Sequence, residues 1–301
     1  MESPELGAAP EGHHSGYVAL VGKPNAGKST LMNALLGRKL SIVTRKPQTT
    51  RHRVLGILTG TNYQVIFLDT PGVIEPRYGL QESMMKSVRR ALRDADLTLF
   101  IADVTHEAPD TLSLAQIGER PAVLVLNKMD LIRQEDALPL VRSYSDLRAF
   151  AEVVPVSAKR KTNLDILMEA IVSRLPEEPP FYPKDVISEH PERFFVAEIV
   201  REKIFEKFGK EIPYSTQVNV VSYEEGNART KDIIEAEIIV ERESQKPIII
   251  GKGGRAIKSL GIASRKAIEA FLGRPVNLRL FVKVRKGWRD SATFLKSYGY
   301  E

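Results

Sequence analysis

Residues 22–29 read GKPNAGKS, a G-x-x-x-x-G-K-[ST] segment that follows the apolar run Tyr17–Val21 and precedes a helical pattern starting near Ser29. A glycine-rich turn between a strand and a helix aims successive backbone N–H groups at phosphate oxygens, and the helix start adds partial positive charge. In this reading Lys28 reaches the β- and γ-phosphates and Ser29 holds Mg²⁺. Gly22, Lys23, Pro24, Asn25, Ala26, Gly27 and Thr30 complete the cradle. Such a turn sits at the carboxyl end of a strand in a sheet with helices on both faces.

The surrounding pattern agrees with that placement. Strand candidates follow at Val54–Leu58, Tyr63–Leu68, Leu97–Ala102, Ala122–Leu126 and Val153–Val156. Helical stretches at Glu82–Arg93, Asp136–Phe150 and Asn163–Arg174 separate the later ones. Apolar strands alternating with amphipathic helices predict an α/β domain with a mainly parallel sheet. The segment PEEPPFYP, residues 176–183, holds four prolines and cannot continue a helix. The expected organisation is a disordered tail over 1–15, a first domain over 16–175, a linker over 176–190 and a second domain over 191–301.

Two further strand ends carry chemistry. Asn127-Lys128-Met129-Asp130 follows Ala122–Leu126, and Ser157-Ala158-Lys159 follows Val153–Val156. A carboxylate at Asp130 accepts both N1–H and the exocyclic amine of guanine, whereas adenine would leave it desolvated and unpaired. Asn127 bonds the base edge or ties the loops together, the Lys128 stem covers the base plane, and an N–H of the Ser157–Lys159 turn reaches the guanine carbonyl. Asp69-Thr70-Pro71-Gly72 follows Tyr63–Leu68, with Asp69 in the Mg²⁺ shell and the Gly72 N–H toward the γ-phosphate. Gln48-Thr49-Thr50-Arg51-His52 supplies a hydroxyl to the metal; Thr50 is favoured, with Thr49 left open. Lys28, Thr50, Asp69 and Gly72 are thus the candidate catalytic set, and GTP or GDP with Mg²⁺ the expected ligands.

Composition removes other chemistries. The 301 residues contain no cysteine, which excludes disulfides, thiolate metal sites and a cysteine nucleophile. No apolar run approaches the roughly 18 residues of a membrane span. The start, MESPELGAAPEGHHSG, has neither the basic nor the apolar part of a secretory signal, so a cytoplasmic protein is expected. Charge is unevenly placed: residues 1–183 carry 22 Lys/Arg and 21 Asp/Glu, residues 184–243 carry 9 and 14, and residues 244–301 carry 13 and 3. A basic end of this size suggests a polyanionic partner.

The second domain reads α-β-β-α-α-β. A helix runs from about Pro191 to Phe208, strands lie near Ser215–Tyr223 and Ile233–Val240, helical patterns surround Ala256–Leu260 and Ala263–Leu272, and Val276–Val284 is a last strand. Between the Ile248–Ile250 triplet and the helical region stands Gly251-Lys252-Gly253-Gly254-Arg255, a G-x-x-G turn that lets a nucleic-acid backbone approach, with Lys252, Arg255 and Lys258 supplying charge. Trp288 among cations either stacks on a base or packs in the core.

Taken together, GKPNAGKS, QTTRH, DTPG, NKMD and SAK resemble a translation-factor-class GTPase, and the first domain resembles the Era family closely. The second resembles a type II KH domain, which clamps about four nucleotides of single strand. The residue after Gly72 is Val73 rather than the water-orienting glutamine of many small GTPases. This implies slow intrinsic hydrolysis that accelerates on a macromolecular target. The resemblance implies a GTP-gated switch that binds the 3′ end of small-subunit (16S) ribosomal RNA and the 30S subunit, and acts in small-subunit assembly and rRNA 3′-end maturation. It also implies a cytoplasmic monomer able to associate peripherally with the inner face of the membrane. Coupling is expected to run from residues 44–53 and 70–82 through PEEPPFYP or a domain interface. The other reading is a regulatory GTPase whose second domain binds a protein or membrane target. A metabolic P-loop kinase would leave Asn127 and Asp130 without purpose.

Overall fold

A computed structural model describes residues 12–106, 108–227 and 230–300, with only the backbone of Gln134. The chain forms two compact units. One runs to Ser41 and takes in Thr50–Pro76 and Met84–Glu189; the other is Ile42–Thr49, Arg77–Ser83 and His190 onward.

The first unit is built on six strands: β1 (His14–Val21), β2 (Val54–Thr59), β3 (Tyr63–Asp69), β4 (Leu97–Asp103), β5 (Ala122–Asn127) and β6 (Glu152–Pro155). Their order is β2-β3-β1-β4-β5-β6, antiparallel only between β2 and β3. Val18–Val21, Val65–Leu68 and Val123–Val125 are fully buried, as strands covered on both faces must be. The helices are α1 (Lys28–Leu36), α2 (Gly79–Asp94, part of this unit from Met84 onward), α3 (Thr111–Ile117), α4 (Leu138–Ser145) and α5 (Leu164–Val172). α3 escapes the sequence pattern because it is seven residues long; Asp110 caps it through the Ser113 N–H. The helix expected over Asp136–Phe150 is shorter, starting where Pro139 sets its first turn after a 3₁₀ segment.

The described part of the expected tail, and the expected linker as far as Glu189, fall within the first unit. Of the tail expected over 1–15, residues 1–11 lie outside the described residues, but His13–Ser15 are built into the unit. The His14 N–H donates to Asn62 O at 3.0 Å and the Ser15 N–H to Pro176 O at 3.1 Å. The proline-rich stretch ends the preceding helix, yet it straps onto the sheet rather than linking freely. Gln64 Oε1 accepts the N–H groups of Phe181 and Tyr182 at 2.7 and 2.9 Å, and the Ile57 N–H donates to Ile187 O at 2.9 Å. The chain just past the prolines covers the edge strand β2, where the Ser188 hydroxyl also donates to Leu55 O.

The second unit contains α6 (Glu192–Lys207), β7 (Gln217–Glu224), β8 (Asp232–Val240), α7 (Lys246–Ile250), α8 (Arg255–Leu272), β9 (Val276–Val284) and α9 (Ala292–Ser297). β7 is antiparallel and β9 parallel to the central β8. Val196, Val200, Ile204, Ile234, Ile238, Leu260 and Ile268 form the core between helices and sheet. The two helices expected after residue 255 are one, because a lone Gly261 weakens a helix by only about 1 kcal/mol relative to Ala. The first helix of the expected pair is instead the isoleucine triplet itself, opened by Pro247 and closed at Gly251. Trp288 is fully buried, and its Nε1–H donates to Ser215 O at 3.0 Å, which resolves its two readings in favour of packing.

Residues 42–49 and 77–83 belong to this unit through defined bonds. The Val43 N–H donates to Glu202 Oε1 at 2.9 Å, and the Lys46 ammonium donates to the Phe205 and Phe208 carbonyls at the end of α6. The Leu80 N–H donates to Arg289 O at 2.7 Å, and the Gly79 N–H to Asp290 Oδ1 at 2.8 Å.

Candidate nucleotide site and candidate nucleic-acid interface

The carboxyl ends of β1, β3, β4, β5 and β6 meet at one edge of the six-stranded sheet. Residues 22–27 leave β1 with left-handed or related backbone at Gly22, Asn25 and Gly27 (φ 153°, 65° and 97°) and feed α1. Lys28, opening that helix, is buried; its ammonium donates to Gly22 O at 2.9 Å and Lys23 O at 2.8 Å. Burial lowers its pKa to about 8, opposed by the nearby Asp69 and Asp110 carboxylates.

Ser29 Oγ donates to Asp69 Oδ2 at 2.6 Å and lies 2.9 Å from Thr50 Oγ1. Thr49 points elsewhere: its hydroxyl is 2.6 Å from Thr44 Oγ1 and donates to Lys46 O at 2.8 Å. Asp69 Oδ1 is buried with no hydrogen-bond partner, and burial raises the Asp69 pKa against the Ser29 hydrogen bond and Lys28. Two hydroxyls and a carboxylate with an orphaned oxygen are hard, all-oxygen donors, the set a Mg²⁺ ion accepts.

The DTPG segment is locked against the cradle. Thr70 Oγ1 donates to Leu20 O at 2.6 Å, and the Val73 N–H donates to Gly22 O at 3.1 Å. Pro71 and Val73 are buried. A Cβ on Gly72 would lie 2.5 Å from Pro24 N, so only glycine allows this approach.

At the other end, Asn127 Nδ2 donates to Ala26 O at 2.9 Å and its Oδ1 accepts the Ala158 N–H at 3.1 Å. Of the two roles considered for Asn127, the structure displays the tie between loops. Asp130 Oδ1 accepts from Ser157 Oγ at 2.6 Å, and the carboxylate is exposed. Met129 is fixed by its N–H to Val156 O at 3.1 Å. Lys159 is exposed and Thr30 half-buried. The structure thus brings every candidate nucleotide residue to one sheet edge.

It also adds Asp103, which none of the motifs above contains. Asp103 pairs in register with Asn127 and accepts the Lys128 ammonium and the Thr105 hydroxyl, the latter at 2.7 Å. Burial pushes its carboxyl up, but the bonds from Lys128 and Thr105 hold it below the usual range. The available signal was its position at the end of the strand neighbouring β5.

In the second unit, Gly251, Gly253 and Gly254 all have positive φ (71°, 59° and 76°), forming a turn that L side chains rarely adopt. Lys252, Arg255 and Lys258 are exposed. Beside the turn, α8 and β9 enclose a groove of about 610 Å³. Its apolar lining includes Ile257, Ile262, Leu278 and Leu280, and its cations are Lys231, Lys258 and Arg265. Lys252 and Arg255 are on the turn and do not line it. Lys258, Ile262 and Arg265 share one helix face by their spacing, a signal available in the sequence. Lys231 had none.

Residues 17–128 match a family model described as 50S ribosome-binding GTPase, and residues 211–289 one described as KH domain. The chain is 51% identical over 307 residues to "GTPase ERA1, chloroplastic" of Zea mays, covering 99% of this chain and 74% of that one. It is 44% identical over 292 residues to "GTPase Era" of Lacticaseibacillus paracasei, covering 96% and 97%. A crystal structure of Aquifex aeolicus Era bound to GDP·AlF4⁻ superimposes with TM-score 0.91 at 41% identity, covering 95% of this chain and 99% of that one. One of Era in complex with MgGDPNP and nucleotides 1506–1542 of 16S ribosomal RNA does so with TM-score 0.91 at 42% identity, covering 96% and 99%.

Proposed function

Because this chain belongs to the Era family of GTPases, we propose that its sheet edge binds guanine nucleotide with Mg²⁺ while its G-x-x-G turn and the groove between α8 and β9 grip the 3′ end of small-subunit ribosomal RNA, and that GTP hydrolysis times its role in assembly of that subunit. The observation that carries this reading is the convergence of Ser29, Thr50 and Asp69 at one end of a cradle whose other end is closed by Asn127 beside Asp130.

Lys28 exchanges its two carbonyl partners for phosphate oxygens, which suits an ammonium already desolvated there. Ser29, Thr50 and Asp69 hold Mg²⁺, and the close approach of Thr50 to Ser29 favours it over Thr49. When bound, the ion neutralises charge on the β- and γ-phosphates. Asp130 accepts the guanine N1–H and amine, and the Lys128 stem, anchored on Asp103, lies along the base. Hydrolysis joins a water oxygen to the γ-phosphorus and breaks its bond to the bridging oxygen, giving GDP and phosphate. The Val73 side chain offers that water neither donor nor acceptor, and its backbone N–H is held by Gly22 O. Hydrolysis is therefore slow until a bound target positions the water.

Residues 42–49 and 77–83, which flank Thr50 and the DTPG segment, are parts of the RNA-binding unit. A γ-phosphate that orders the site acts on those segments, and their bonds to α6 and to Arg289–Asp290 carry the change. The reading includes a cytoplasmic monomer with peripheral membrane association; no helix among the described residues is long and apolar enough to cross a membrane. Crosslinking the protein to cellular RNA with a GTP analogue or with GDP tests the proposal. Fragments from the small-subunit 3′ end, enriched with the analogue, are expected; protein-only adducts would favour the regulatory alternative.

A further inference from the structure

The first unit is nearly neutral over residues 1–183, yet one of its helices concentrates positive charge on a single face. On α2, Lys86, Arg89, Arg90 and Arg93 are all exposed and recur at helical spacing, so they form one stripe spanning about 10 Å. No acid interrupts them: Glu82 stands a turn before, and Asp94 closes the end. Asp94 is shared, lying 2.8 Å from Arg53, 3.3 Å from Arg93 and 4.0 Å from Arg90. Among the described residues, no other helix of this unit carries more than one exposed cation.

We propose that the α2 stripe is a second nucleic-acid contact, distinct from the G-x-x-G groove, that binds the phosphate backbone of structured ribosomal RNA. This rests on the RNA-binding reading above and extends it to the nucleotide-binding unit. Arginine dominates the stripe, and its planar fork matches phosphate oxygens better than a point charge does. A line two helical turns long spans a few successive phosphates of one strand. A membrane surface fits less well. An interfacial helix buries apolar side chains beside its cations, whereas Leu80, Met84, Met85, Val88 and Leu92 of α2 are all buried in the protein. No α2 residue is among the exposed large hydrophobic side chains.

The test uses the full chain loaded with a non-hydrolysable GTP analogue. The triple variant Lys86→Gln, Arg89→Gln, Arg93→Gln is compared with the parent on two probes: a short single-stranded oligonucleotide from the small-subunit rRNA 3′ end, and the same sequence joined to its adjoining stem. Three lost phosphate contacts should reduce the slope of log affinity against log salt by about 2.7 on the stem-bearing probe. Between about 50 and 200 mM salt, the parent should then lose about fortyfold more affinity than the variant does. Oligonucleotide binding, GTP affinity and melting temperature should not change, and the charge-preserving variant Lys86→Arg, Arg89→Lys, Arg93→Lys should restore the slope. Anionic vesicles serve as a third probe: an unchanged slope on the stem-bearing RNA overturns the proposal, as does a loss of vesicle binding with no change on that RNA. Failure of the parent on the oligonucleotide alone would count against the groove, not against the stripe.

Discussion

Asn127 donates to the carbonyl of Ala26 at 2.9 Å, so the loop that would read the base and the loop that would hold the phosphates are one hydrogen-bonded body. The same side chain accepts from Ala158 N–H, and it is buried. Asn127→Ala leaves the Ala26 and Ala158 groups without their partner, at about 1–3 kcal/mol for each that stays dry. Affinity for GTP and GDP should fall together by about tenfold or more, with a lower melting temperature, in calorimetry and thermal unfolding. An unchanged pair of affinities would contradict the tie.

Asp130→Asn exchanges a carboxylate that accepts from the guanine N1–H and amine for an amide that can donate. Preference should move toward xanthine nucleotides, read as the ratio of XDP to GDP dissociation constants. Undiminished guanine selectivity would remove Asp130 from base recognition.

Ser29→Ala and Thr50→Ala should each raise the Mg²⁺ concentration needed for tight GTP binding, while Thr49→Ala should not, because the Thr49 hydroxyl is engaged with Thr44 and Lys46. Nucleotide binding titrated against Mg²⁺ separates the three. Equal shifts for Thr49→Ala and Thr50→Ala would refute the assignment.

Trp288→Ala should cost about 3–5 kcal/mol of stability, the range for emptying a large aromatic site, with the loss of its bond to Ser215 included. As the chain has one tryptophan, its emission reports on this site alone. The emission should be that of a buried indole and should not respond to RNA. Quenching by single-stranded RNA would restore the stacking role.

Much of the nucleotide site was legible because its residues fall in short contiguous motifs at strand ends, where a parallel sheet gathers them regardless of loop length. Asp103 was not, since its partner Lys128 lies 25 residues away and only the β4–β5 register joins them. The strand limits were close for the same reason that α3 was missed: buried strands announce themselves by continuous apolar runs, whereas a seven-residue helix shows barely two turns of pattern. In the second unit the G-x-x-G turn and Lys258 were visible, but Lys231 enters the groove from the start of β8, and nothing in its local sequence marks that. The proline-rich stretch was read correctly as a helix stop. That it straps onto Gln64, and the chain just after it onto Ile57, depends on pairing across more than a hundred residues, which no local pattern encodes.

Whether GTP gates RNA binding is read by fluorescence anisotropy of a labelled small-subunit rRNA 3′-end oligonucleotide, titrated with the full chain in the GTP-analogue and GDP states. Binding should be tighter with the analogue, fall steeply with salt, and be abolished by Gly253→Asp in a protein that still binds GTP. Equal affinity in the two nucleotide states, or binding that survives Gly253→Asp, would contradict the proposed function.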